Sequence, residues 1–154
     1  MGRVTKSLLF LSGLLVVIQF IQPERNISME AYPADISRTY PVPEKVQGIL
    51  KTSCYDCHSN NTRYPWYANI QPGGWWLAWH IREGKQELNF NEFGKYSSRR
   101  QQSKLKAITG SIEDGTMPIS SYTLIHRNAR LTKAEQDLIL DWIEKTKDFL
   151  LPCP

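Results

Sequence analysis

Apolar residues run from Leu8 to Ile21 with interruptions only at Ser12, Gly13 and Gln19. Beyond them the chain turns polar and is punctuated by Pro23, Pro33, Pro41 and Pro43. That spacing disfavours helix and predicts an extended linker over 23–42. A first helix is predicted from Pro43, whose fixed backbone angle suits the first helical position, with Val46, Ile49, Leu50 and Cys54 on one stripe. Ser59 to Thr62 is a turn cluster, and Arg63 to Pro72 is an aromatic, proline-containing loop.

A second helix follows over 75–84, with Trp76, Trp79, His80 and Glu83 on a shared face. The segment 85–96 has no clear period and reads as loop. Ser98 with Gln101 resembles a capping box, and Leu105, Ile108 and Ile112 give a helical stripe behind it. A short helix over 121–126 would point Tyr122 and Leu124 or Ile125 inward. The last helix has a capping box at Thr132 and Glu135 and a stripe of Leu138, Ile139, Trp142 and Ile143; it should pack across the first domain helix. The pattern predicts an all-α domain over 43–150, preceded by a signal or anchor segment over 1–22.

Arg3 and Lys6 ahead of the Leu8–Ile21 run form the n-region and h-region of an exported chain. The residues after it, Gln19-Phe20-Ile21-Gln22-Pro23, lack the small side chains a signal peptidase needs, so the segment is expected to remain as an anchor. Extended back to Val4 it reaches 18 residues, near the lower limit for a membrane span. The expected location is the periplasm, tethered to the inner membrane by an uncleaved helix, with secretion after cleavage as the alternative. The net charge of +4 falls to +2 without Arg3 and Lys6, because 17 basic then face 15 acidic side chains, which gives no basis for nucleic-acid binding. Seven basic against three acidic residues between Arg82 and Lys106 would suit an acidic redox partner, although a solvated surface is the preferred account of them.

The densest chemistry lies in Cys54-Tyr55-Asp56-Cys57-His58. Two thiols separated by two residues reach the two vinyl groups on one edge of a porphyrin, and the adjacent imidazole swings under the plane to offer nitrogen to iron. One covalent haem c per chain is the cofactor this predicts. A thioredoxin-like pair would open a helix after a strand, and no strand-like alternation precedes Cys54. A structural zinc site needs four ligands, and the remaining candidates, Cys153, His80 and His126, are scattered. Cys153, between Pro152 and Pro154, reads as a loose free thiol without an assigned role.

Beside His58, the other axial position needs a donor. Met117 sits in the glycine-containing loop Glu113-Asp114-Gly115-Thr116-Met117-Pro118 and offers a soft thioether that stabilises ferrous iron. His80 is the alternative sixth ligand, although a half-buried histidine bonding a propionate or backbone is the preferred account of it. His126 is a weaker candidate and looks solvent-facing. A ligating histidine needs its second ring nitrogen held, and Pro72 in the rigid loop is the candidate carbonyl. Trp66 and Trp76 are candidates for the wall around the group.

The run Cys54-Tyr55-Asp56-Cys57-His58-Ser59-Asn60, Tyr64-Pro65-Trp66-Tyr67, Pro72, Trp76, His80, Glu83-Gly84, Met117-Pro118, Tyr122, His126, Leu131 and Trp142 resembles the bacterial haem-binding domain family related to cytochrome c. The resemblance covers roughly residues 36 to 147 and is most specific around the cysteines and the Tyr64–Tyr67 stretch. It implies a mono-haem, mostly helical cytochrome c-like fold with His58 proximal and Met117 in the place of the distal methionine. Ile119 stands where a second proline is common. The expected function is single-electron transfer to a partner protein rather than catalysis. The competing expectation is an iron left open by Met117, acting as a peroxidase or a small-gas sensor.

Overall fold

The computed structural model describes residues 2–150, and all regular structure among them is helical. The helices are α1 (Arg3–Ile18), α2 (Ile36–Thr39), α3 (Glu44–Ser53), α4 (Tyr55–His58), α5 (Gly73–Glu87), α6 (Ser98–Glu113), α7 (Ser120–Ile125) and α8 (Lys133–Asp148). Short 3-10 turns occupy Trp66–Asn69, Phe90–Lys95 and Arg127–Ala129. Cys153 lies outside the described residues.

α3 and α8 follow their periodicity. Pro43 caps α3 rather than opening it, and the helix buries Val46 and Leu50. In α8 the Thr132 hydroxyl accepts from the Glu135 N–H while the Glu135 carboxylate accepts from the Thr132 N–H, satisfying two end donors that helix geometry leaves free. Ile139, Trp142 and Ile143 are buried as α8 packs on α3 and α6, and the Trp142 indole donates to the Pro41 carbonyl at 3.1 Å.

Three sequence expectations change. The cap of α6 is Ser97, one residue before Ser98, and Gln101 is buried, accepting from the Tyr40 hydroxyl and donating to the Phe93 carbonyl. The stretch 85–96 is not featureless: α5 continues to Glu87, and the following 3-10 turn buries Phe90 and Phe93, whose three-residue spacing fits three residues per turn. On α5 the buried stripe is Gly74, Leu77 and Ile81, while Trp76 and Trp79 face outward.

The segment expected to be a free linker is a strap. The Gln19 side chain exchanges two hydrogen bonds with the Gln71 backbone, at 3.1 and 2.8 Å. The Gln22 amide donates to the Asn69 carbonyl, and Trp75 Nε1 donates to the Ile21 carbonyl at 2.7 Å. Asn26 bonds Ser59, Thr62, Tyr64 and Lys85 at once. Asp35 caps α2 and accepts from Tyr55 and Asn91.

α1 is exposed along its whole length and apolar on every side from Leu8 onward. Its 16 residues extend about 24 Å, less than a bilayer's hydrocarbon core. No helix among the described residues is long and apolar enough to cross a membrane, so the expected full span is not present as a helix. The helix stops at Ile18 because the next residues turn to bond the domain.

The hydrophobic core falls into two clusters. The larger joins Ile36, Val46, Leu50, Phe90, Phe93, Leu105, Ile139, Trp142 and Ile143, and the smaller joins Ala68, Leu77 and Ile81. Cys57 packs against the smaller and Cys54 against the larger, so the paired thiols stand where the two meet.

Candidate functional site

An apolar cavity of about 350 Å³ opens beside α4. Its walls come from α3 (Leu50), α4 (Cys57, His58), α5 (His80, Glu83, Gly84), the 88–90 turn, α6 (Lys104, Ile108, Ile112), the loop into α7 (Met117, Ile119) and α7 itself (Tyr122), with Cys54 between α3 and α4. Both thiols, the imidazole and the thioether therefore line one space, although 59 residues of chain separate His58 from Met117.

The local structure follows from the turn. Cys54 ends α3, and its carbonyl accepts from the N–H groups of both Cys57 and His58, which coils the motif into one turn. His58 Nδ1 lies 2.7 Å from the Gly84 carbonyl oxygen and 3.2 Å from that of Leu88. Carbonyls only accept, so Nδ1 carries the hydrogen and Nε2 keeps its lone pair. Burial lowers the His58 pKa, and this outweighs the two carbonyls and Glu87, which favour the cation; Lys104 adds to the lowering. The ring is thus held neutral, in the tautomer a metal ligand requires.

The expected carbonyl was Pro72, and this is corrected. The Pro72 carbonyl accepts from the Trp76 N–H at 3.1 Å in the first turn of α5, and His58 is held from the far end of that helix. Gly84 permits the approach: a methyl group there would stand 3.0 Å from the Cys57 carbonyl oxygen and 3.2 Å from its Cβ.

Asp56, between the cysteines, is buried and receives the Arg63 N–H at 3.0 Å, the Arg63 guanidinium on both carboxylate oxygens, and the Tyr122 hydroxyl at 2.8 Å. It ties the motif to α7, which forms part of the cavity wall. Asn60 completes the frame, donating its N–H to Asn91 and accepting from the Asn89 amide. Asp56, Gly84, Asn60 and Tyr122 were not singled out as site residues from the sequence. The signals available were an acidic residue inside the motif with Arg63 seven positions on, and asparagines clustered at 60, 89 and 91.

The thiols are not activated. Burial pushes the Cys54 thiol up to about 12, helped by Cys57, and the Cys57 thiol up to about 11, helped by Asp56. A dithiol redox pair works through a depressed thiol pKa, the opposite shift.

Met117 lines the cavity and is 42 % exposed. Its loop is set by Gly115, at φ +65°, and by the N–H groups of Thr116 and Met117 donating to the Ser111 carbonyl. His80 lines the cavity too, its Nδ1 2.9 Å from the Trp76 carbonyl. His126 does not reach the cavity; it is half-buried, stacked on Tyr122 and 2.7 Å from the Tyr67 hydroxyl.

Trp66 and Trp76, expected in the wall, do not line it. They are 75 % and 45 % exposed, and the aromatic lining comes from Phe90 and Tyr122 instead, beside Leu and Ile side chains. An aromatic side chain on a helix signals burial only where the helix has a neighbour on that face.

The donor set fits a haem: two thiols one turn apart, a neutral imidazole with a free nitrogen, a thioether, an apolar lining and a partly buried Lys104 for a carboxylate substituent. No curated protein and no solved structure matches the chain. The sequence profile of the haem-binding domain matches residues 13–145, most of the chain including the strap, both cysteines, His58 and Met117. With all of its candidate haem donors inside that match, the chain belongs to the haem-binding domain family.

Proposed function

We propose that the chain is an electron carrier holding one haem c through Cys54 and Cys57, with His58 and Met117 as axial ligands. The observation that carries this reading is the imidazole of His58, fixed through Nδ1 so that Nε2 is free beside a cavity lined by both thiols and Met117. When bound, the haem supplies reversible one-electron chemistry.

Each protonated thiol would add its S–H across one vinyl group, the sulfur to one carbon and the hydrogen to the other, so that no oxidant is consumed. His58 would hold the iron through Nε2, from a ring whose orientation the Gly84 carbonyl fixes. Met117 would favour the ferrous state as a soft donor, and the Leu50, Phe90, Ile108 and Ile112 side chains would exclude water. Lys104, 3.5 Å from the Glu87 carboxylate at the cavity wall, would be the cation shared with a haem carboxylate.

The exported, tethered location belongs to the same reading. The apolar α1, preceded by Arg3 and Lys6, holds the domain at the membrane without spanning it as a helix, and the domain faces the periplasm, where a redox partner protein collects the electron. An optical spectrum of the ferric holoprotein tests the axial assignment. A weak far-red band of methionine-sulfur ligation is expected, and high-spin bands in its place favour an open iron suited to peroxide or a gas.

A further inference from the structure

Around the joint between α1 and the domain lie six large apolar side chains that stay exposed in the fold. Phe20 is 83 % and Ile21 59 % exposed, Trp66 75 %, Ile70 51 %, Trp76 45 % and Trp79 50 %. They belong together because the strap brings them together. Gln19 and Gln22 bond Gln71 and Asn69, and Ile21 receives the Trp75 indole hydrogen. Trp66 and Ile70 flank Asn69 in one turn, while Trp76 and Trp79 follow Trp75 on the first turns of α5.

We infer that this aromatic face lies in the interfacial zone of the lipid bilayer and seats the domain flat on the membrane; the inference rests on the proposed tether. Gln19, the residue directly after α1, already bonds the domain, so there is no slack in which a lifted domain could turn. Whatever surrounds the apolar end of α1 must also meet the residues beside it. Tryptophan is the side chain best suited to that depth, with an apolar ring and one N–H for the headgroups. Arg25, stacked on Tyr64 and bonded to Asn69, and Arg82, one turn beyond Trp79 and paired at 3.4 Å with the exposed Glu83, are cations beside the face for anionic lipid phosphates. The arrangement also orients the redox site, because the Trp76 and Trp79 rings lie 4.0 and 4.6 Å from the ring of His80, which lines the cavity.

The test uses the full-length holoprotein in vesicles of phosphatidylethanolamine and phosphatidylglycerol that include a lipid with a diazirine near the glycerol backbone. After photolysis, adducts are mapped by mass spectrometry of tryptic peptides. One peptide, Tyr64–Arg82, contains the whole domain part of the face; the peptide Ser7–Arg25 carries most of α1 together with Phe20 and Ile21, and fragmentation assigns its adducts to the helix or to those two residues. Adducts on both are expected, with about tenfold fewer on α8 peptides than on Tyr64–Arg82. Adducts on α1 with none on Tyr64–Arg82 overturn the docking face and leave the tether standing. Adducts on Tyr64–Arg82 alone support the face and refute the tether; adducts on neither refute both. In the combined variant Trp66→Gln, Trp76→Gln and Trp79→Gln, which alters only exposed side chains, the Tyr64–Arg82 yield should fall severalfold with the haem-to-protein ratio unchanged. An unchanged yield contradicts the role given to the tryptophans.

Discussion

His58 donates its Nδ1 hydrogen to the carbonyl oxygen of Gly84 at 2.7 Å, across 26 residues of chain. That bond sets the ring's tautomer, and the absence of a side chain at Gly84 lets α5 come close enough to make it. In Gly84→Ala the new methyl group meets Cys57 and His58 at 3.0 to 3.4 Å and forces α4 outward. Overpacking is expected to cost about 1–3 kcal/mol, offset by the roughly 0.5–1 kcal/mol that alanine gains over glycine inside a helix, with reduced haem per chain. Chemical denaturation and the haem-to-protein ratio measure the two effects; wild-type values for both would contradict the contact.

Tyr122 and Asp56 make the second long-range tie. Tyr122→Phe removes the only α7 donor to a buried carboxylate that Arg63 still holds, so the fold should survive with about 1–3 kcal/mol less stability. The denaturation midpoint is the readout, and an unchanged midpoint would mean that the hydroxyl contributes nothing.

The cap of α8 makes a pH-dependent contribution. Hydrogen bonds from the Thr132 N–H and hydroxyl lower the Glu135 pKa from 4.5. A carboxylate with a depressed folded pKa stabilises fully above its unfolded value, and the contribution disappears as pH falls through the lower folded value. Thr132→Ala should cost about 1 kcal/mol at neutral pH, and Glu135→Gln should cost less. Both gaps from the wild type should narrow in acid below pH 4.5. Gaps that do not change with pH would show that the charge on Glu135 is immaterial.

Met117→Ala should leave the haem attached and the fold nearly as stable, because the side chain is 42 % exposed, while abolishing the sulfur-ligation band. A band that survives the substitution moves the sixth ligand to His80 or another donor.

How much of this was legible follows from where each interaction is encoded. Cys54, Cys57 and His58 act through local spacing, and a single turn of chain delivers them. The α8 cap and stripe are likewise local patterns. The acceptor for His58 is a backbone carbonyl, which no residue type announces, so Pro72 was as readable a candidate as Gly84. Trp66 and Trp76 carry the composition of a wall but stand on a face with no neighbouring element, which periodicity does not reveal. The strap from Gln19 to Asp35 depends on side-chain amides meeting loops some 30 to 50 residues away, a pairing that polar composition conceals. Asp56 shows the same limit: its position inside the motif is visible, but its partner Tyr122 lies 66 residues on.

Whether Cys54 and Cys57 bind haem covalently is read most directly from a denaturing gel of the chain exported by a host with the c-type attachment machinery. Haem stain should travel with the wild-type polypeptide and be lost from the Cys54→Ser, Cys57→Ser variant. Wild-type chain that takes up haem when folded but runs free of stain after denaturation would contradict covalent attachment.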